Sequence, residues 1–158
     1  MSMPEITFRK ADPRDAKLIS DFIWKMAEYE KMTDECNASP ENMHELIFEK
    51  KVAEVIFAVL DNKEVGFALF YPNFSTFVAM PGIHLEELFV LEDYRSKGVG
   101  KALLHEVARI AHERGCGRLE WWCLDWNTNA RNFYESQGAR PQSEWIIYRI
   151  DEQTLENF

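Results

Sequence analysis

A chain of 158 residues with 46% hydrophobic and 28% charged side chains has the size and balance of a single soluble domain, residues 1–158. That length can bury about two-thirds of its unfolded surface without disulfide or metal staples. A net charge of −9 argues against a general nucleic-acid binder, whose affinity rests on Lys and Arg neutralising phosphates, and suits cationic ligands. Cys36, Cys116 and Cys123 form no CxxC pair, so neither a zinc ribbon nor a disulfide framework is indicated, and a reducing cytoplasm is the simpler compartment.

Met1-Ser2-Met3-Pro4 runs into polar sequence with no apolar signal region, and no apolar stretch approaches the ~20 residues that span a bilayer. The alternating Glu5-Ile6-Thr7-Phe8-Arg9 predicts a first strand. Asp12-Pro13 marks a helix start, and Ala16, Ile19, Ile23, Met26 and Ala27 give that helix an apolar face. Ser39-Pro40-Glu41 starts a second helix running to about Phe48. Ala53 to Leu60 and Glu64 to Tyr71 bracket the polar turn Asp61-Asn62-Lys63 as a hairpin. A loop with Pro72, Asn73 and Pro81-Gly82 leads to a strand from Ile83 to Leu91. The clearest amphipathic helix follows Arg95 to Lys101, carries Val99, Ala102, Leu103, Val107, Ile110 and Ala111 on one face, and ends at Gly115. A strand Arg118 to Leu124, a helix Thr128 to Gln137 and a last strand Trp145 to Ile150 complete the chain. The order β-α-α-β-β-β-α-β-α-β predicts an α/β fold with helices on both faces of a mixed sheet.

The most informative segment is Asp93-Tyr94-Arg95-Ser96-Lys97-Gly98-Val99-Gly100-Lys101. Two glycines at a helix start let backbone N–H groups crowd around an anion, and Arg95, Lys97 and Lys101 add positive charge. A diphosphate is the natural guest; an ordinary tight turn is the alternative. Walker A spacing fails because Ala102 follows Lys101, and a dinucleotide fingerprint fails because Leu103 stands where a third glycine is needed. His105-Glu106-Val107-Ala108-Arg109 lacks the second histidine of a zinc-protease helix, and no metal site is expected.

The R-x-x-G-x-G of Arg95 to Gly100, between a strand and an amphipathic helix, resembles motif A of the GNAT acetyltransferases. Leu85-Glu86-Glu87-Leu88-Phe89-Val90, Leu124-Asp125-Trp126-Asn127, Asn132-Phe133-Tyr134 with Gly138-Ala139, Ala27-Glu28-Tyr29-Glu30 and Trp145 resemble the diamine acetyltransferase branch, which includes spermidine/spermine and thialysine N-acetyltransferases. The resemblance covers nearly the whole chain. It implies an acetyl-CoA co-substrate, a small primary amine acceptor, direct acetyl transfer and a homodimer.

Acetyl transfer to an amine requires removal of the ammonium proton, a donor for the oxyanion and a proton for the departing thiolate. Strand alternation puts Glu86 and Glu87 on opposite faces. The resemblance makes Glu86 the base, with Glu87 binding the cationic substrate; a solvated or salt-bridged pair is the bland alternative. It likewise implies that the backbone of Leu88, Phe89 and Val90 holds the thioester and pantetheine arm. Arg95, Ser96, Lys97, Gly98, Val99, Gly100 and Lys101 would hold the pyrophosphate, and Tyr134 would protonate the sulfur. Asn127 caps its helix or binds the cofactor, and Tyr29 and Glu30 contact the amine. Trp145 lines the same pocket or fills the core. His84 reads as a base, a pocket residue or a buried histidine. Ser75 stands where polyamine-specific relatives carry an acid, which favours lysine analogues or short diamines over long polyamines. A protein or amino-acid acceptor, or a coenzyme A-binding module without turnover, are the rival readings.

Overall fold

The computed structural model describes residues 5–158, so the Met1 to Pro4 start lies outside the described residues. The chain divides into two compact units, the second beginning at Cys123. The first holds a five-stranded sheet in the order β1 (Thr7–Lys10), β2 (Glu54–Leu60), β3 (Lys63–Ser75), β4 (Met80–Val90), β5 (Arg118–Glu120). Neighbours are antiparallel from β1 to β4, whereas β5 runs parallel to β4, giving the mixed sheet that the sequence predicts.

Helix α1 (Ala16–Tyr29) follows a turn in which Asp12 and Asp15 cap each other's backbone, as the Asp-Pro start signal requires. Its Ile19 and Phe22 pack on Val55, Phe57, Phe67, Leu69 and Phe89 of one sheet face. Phe22 alone meets three rings at centroid distances of 6.1, 5.4 and 6.0 Å, tilted or edge-on contacts worth about 0.5–1.5 kcal/mol each beyond area burial. Helix α2 (Pro40–Met43), capped by Ser39, passes into a π-helical turn, His44–Glu49. The opposite sheet face carries α3 (Val99–Glu113), with Val99, Leu103, Leu104, Val107 and Ala111 buried. Helices therefore cover both faces of a mixed sheet, as the sequence predicts.

Gly66 on β3 shows how closely the layers approach. A Cβ there would lie 2.7 Å from the Phe89 carbonyl oxygen and 3.2 Å from Leu103 Cδ1 of α3. The missing side chain is what lets the sheet and α3 close at this level.

Three expectations are corrected. The segment predicted as a loop around Pro72 and Pro81 is instead a continuation of β3 and β4, with Pro72 opposite Ile83 and the turn reduced to residues 76–79. Ser75 accounts for the tight turn: its Oγ accepts from the Val78 amide at 3.2 Å and its carbonyl from Ala79 at 2.9 Å. The predicted strand Arg118 to Leu124 is paired only over Arg118–Glu120. Trp145 to Ile150 forms no strand among the described residues, and α5 (Glu152–Glu156) follows it. Trp145, Ile146 and Tyr148 are 76%, 75% and 91% exposed. Strand propensity expresses fit to a half-buried pleated surface, and without a ladder partner it does not make a strand. The second unit's other helix, α4 (Thr128–Ser136), starts where Asn127 accepts from the Ala130 amide and stops before Gly138 at φ 93°.

Replacing Gly66 by Ala should lower stability by about 1–3 kcal/mol, as overpacking does. Urea denaturation would show a lower midpoint at unchanged slope; an unaltered midpoint would mean that β3 and β4 separate freely.

Candidate active site

The site is built on one irregularity of β4. Leu69 pairs with Glu87, but Phe70 pairs with Leu85, so Glu86 is an extra residue on β4. A bulge of this kind shifts the in–out alternation by one. Tyr71 and its partner His84 lie on the α1 face, and so, two residues on, does Glu86. Glu87, opposite the core residue Leu69, returns to that face as well. The expectation that Glu86 and Glu87 point to opposite faces is thereby corrected: both line one cavity.

That cavity, of about 470 Å³, is walled by Ile23 of α1, Met43, Leu46 and Ile47 of α2 and its π-turn, Val52, Ala53, Leu69 and Tyr71. Its polar end is carboxylic. Burial, then the charges of Glu30 and Glu86, push the Glu87 carboxyl up to about 8. Burial and the Glu86 charge also raise Glu30. The structure thus brings Glu30, Glu86 and Glu87 into one electrostatic cluster, which a bound ammonium would neutralise. Glu86 is held at one oxygen: His84 Nε2 lies 3.1 Å and the Tyr71 hydroxyl 3.4 Å from Oε2. Burial and the Glu86 charge raise the Tyr71 phenol, keeping it a donor. A second cleft, of about 230 Å³, includes Arg9, Glu54 and Arg114. Arg114 is paired with Glu54 at 2.7 Å, and Arg9 with Asp15 at 2.8 Å and Glu64 at 2.9 Å, so both guanidinium groups are already engaged.

After β4 the chain turns through Glu92–Tyr94 into the glycine segment. Ser96 has φ 63°, and Gly98, with φ 83°, stands at the N-cap of α3 with no side-chain cap on the helix. The first amides of α3 therefore lack both an intrahelical acceptor and a side-chain one, and the helix dipole adds to their pull on an anion. A Cβ on Gly98 would meet nothing within 4 Å, so this glycine serves the left-handed backbone. These features fit a pyrophosphate held by backbone. Lys97 Nζ lies 5.4 Å from the Tyr94 ring centre. Arg95 faces elsewhere: its guanidinium sits 5.0 Å over Tyr29 and 5.5 Å over Phe89, and Nε donates to the Val90 carbonyl at 3.0 Å. Tyr29, the last residue of α1, is thus tied to the strand end that precedes the glycine turn. Phe89 is core, while Leu88 and Val90 are half-buried.

Asn127, Tyr134 and Trp145 belong to the second unit. Asn127 caps α4, the Tyr134 ring lies 5.5 Å from that of Phe133, and Trp145 is exposed. Of two further residues at the carboxylates, His84 is open in the sequence between a base, a pocket residue and a buried histidine, and Tyr71 carries no role there. The two-residue spacing of His84 and Glu86 on a strand is the signal that could have found the first. The apolar wall of α2 had no signal, because its side chains read as core.

Comparison with known proteins matches residues 20–139 to the family described as "Acetyltransferase (GNAT) family". The chain is 30% identical to a thialysine N-epsilon-acetyltransferase of Bos taurus, over 97% of this chain and 96% of that protein. It is 47% identical to an L-ornithine N5-acetyltransferase of Arabidopsis thaliana over 58% of this chain, a match that spans only 40% of the plant protein. Among solved structures, an integron cassette protein from the mobile metagenome of V. cholerae superposes with a TM-score of 0.79 at 28% identity, covering 96% of both chains.

A carboxyl raised in the folded state binds its proton more tightly there, so its contribution is complete below the unfolded value of 4.5 and is lost as pH rises through about 8. Glu87→Gln should therefore match the wild type near pH 5 and exceed it by on the order of 3 kcal/mol near pH 9. Thermal melts across that range check this; parallel curves would refute the burial of a titrating Glu87.

Proposed function

The chain belongs to the GNAT family and is an N-acetyltransferase, and from that premise we propose that it moves an acetyl group from acetyl-CoA directly to a small primary amine of the thialysine, lysine-analogue or short-diamine type. The observation that carries this reading is an apolar cavity whose acidic lining is Glu86 and Glu87, with the charge of Glu30 coupled to both. Carboxylates attract the ammonium groups, and the apolar wall takes the methylene body between them. The relatives named for thialysine and L-ornithine act on amines of that size. Ser75, which is buried and spent on its own turn, offers no charge to a longer polyamine.

Acetyl-CoA supplies an acetyl group activated as a thioester. Backbone amides from Arg95 to Lys101, with Gly98 and Gly100 giving room, would hold its pyrophosphate, and the amides of Leu88 to Val90 its carbonyl and pantetheine arm. Glu86 takes the proton that an amine of pKa near ~10 carries at neutral pH, directly or through water, which frees the nitrogen lone pair to attack. Glu30, Glu87 and Tyr29 receive the distal cationic group. Tyr134 gives a proton to the departing sulfur, and Trp145 adds an aromatic wall. A homodimer, a single domain and a reducing cytoplasmic setting complete the proposal. The exposed Trp145 to Tyr148 segment supports the first and the unpatterned cysteines the last. No described helix is long and apolar enough to cross a membrane.

Thiol release from acetyl-CoA, measured with thialysine, ornithine, lysine, putrescine, spermidine and a basic peptide, tests this directly. Saturable turnover is expected with the short amines and little with spermidine or peptide; turnover of the peptide alone would replace the acceptor class. Tyr134→Phe should lower kcat by about 10²–10⁴-fold, the usual contribution of a positioned acid or base, while acetyl-CoA affinity stays within a few-fold. Glu86→Gln should lower activity most at neutral pH and regain part of it at high pH, where the amine deprotonates itself. A wild-type rate in either variant removes that residue from the mechanism.

A further inference from the structure

The carboxylate assigned as base does not stand alone, and its neighbours have no role in the mechanism so far. His84 is 6% exposed. Its ring is fixed from two sides, by Tyr71 at 5.0 Å and 31° and by the edge of Trp122 at 5.3 Å and 76°. The Tyr71 pairing is a register pair of β3 and β4, so the strands themselves set the imidazole's place. From there Nε2 reaches Glu86 Oε2 at 3.1 Å, and the Tyr71 hydroxyl approaches the same oxygen at 3.4 Å. A carboxylate can only accept, so the contact assigns the proton to Nε2 in the neutral imidazole.

We infer that His84 is the positioning residue of Glu86: with Tyr71 it engages Oε2 and leaves Oε1 as the oxygen presented to the amine. The inference rests on the acyl-transfer reading given above. Without these donors Glu86 is a half-exposed side chain on a bulge, free to sample rotamers in which neither oxygen meets the nitrogen. With them the base is preorganised, and the ordering entropy is met by the fold before substrate arrives. The bulge matters here too, since it keeps His84 and Glu86 on one face while admitting Glu87 beside them.

A packing histidine and a positioning histidine respond oppositely to two substitutions. His84→Phe keeps a ring between Tyr71 and Trp122 and removes the donor; His84→Gln keeps an N–H donor and removes the ring. Positioning predicts that His84→Phe loses about ten- to a hundredfold in kcat/KM for the amine, the scale of a hydrogen bond to a charged group. The KM for acetyl-CoA should stay within about twofold, and His84→Gln should recover most of the loss. Full activity in His84→Phe, or a greater loss in His84→Gln than in His84→Phe, would overturn the assignment. Wild-type turnover of at least one amine in the same assay separately checks the acyl-transfer reading. Should no amine be turned over, the contact is read from the Nε2 resonance of His84 in 15N-histidine-labelled full-length protein. It should move on Glu86→Ala, and an unmoved resonance would overturn the inference whatever the substrate.

Discussion

One extra residue in β4 sets the geometry of the site. In a regular strand His84 and Glu86 would share a face and Glu87 would turn away into the α3 side of the sheet, buried among aliphatic groups with no ammonium to meet. The bulge shifts the phase after Glu86, so that successive carboxylates face one cavity while Phe89, two residues further, still reaches the aromatic cluster beneath α1. The strand serves core and site alternately without changing sheets. Two neighbouring acids then occupy different environments. Glu86 is half in solvent and engaged by His84 and Tyr71 at one oxygen, and Glu87 is sunk beside Glu30 and Glu86 and raised to about 8. On the proposed mechanism, that difference divides proton transfer from cation binding.

The rest of the first unit can be read as support for that strand. On one side β3 holds it along its length, with Gly66 giving up a side chain so that the Phe89 carbonyl and α3 both come close. On the other, pairing with β5 covers Gly82, Ile83 and His84, so the fixed portion ends where the bulge begins. Aromatic packing of Phe22 against Phe57, Phe67 and Phe89 then sets α1 over the same stretch, and Glu30, which follows α1, acts by its charge on Glu87.

Much of this was legible in the sequence, for physical reasons that differ by element. The apolar periodicity of α1 and α3 and the caps at Asp12 and Ser39 are local signals, and the structure carries them out. The glycine turn was legible because Gly98 must adopt a left-handed backbone at a helix start. The bulge was not, since Leu85 to Val90 reads as an unbroken strand and only the pairing with Leu69 and Phe70 reveals the extra residue; hence the misplaced face of Glu87. Pro72 and Pro81 read as loop formers, yet β3 and β4 extend through them, because the partner strand and the Ser75 turn outweigh local preference. Trp145 to Ile150 erred in the opposite direction, where strand-prone residues lacked a ladder to join.

Arg95 belongs to the glycine motif by sequence and to the end of α1 by contact. Its guanidinium lies across Tyr29 and Phe89 and bonds the Val90 carbonyl, so the same residue opens the glycine turn and braces the end of α1. A change at this position therefore has no single address. Weaker cofactor binding after its substitution would not by itself identify a lost phosphate contact, because the helix that carries Tyr29 and Glu30 would have loosened at the same moment. On the proposed reaction, kinetic constants for its two substrates are, at Arg95, two readings of one mechanical joint.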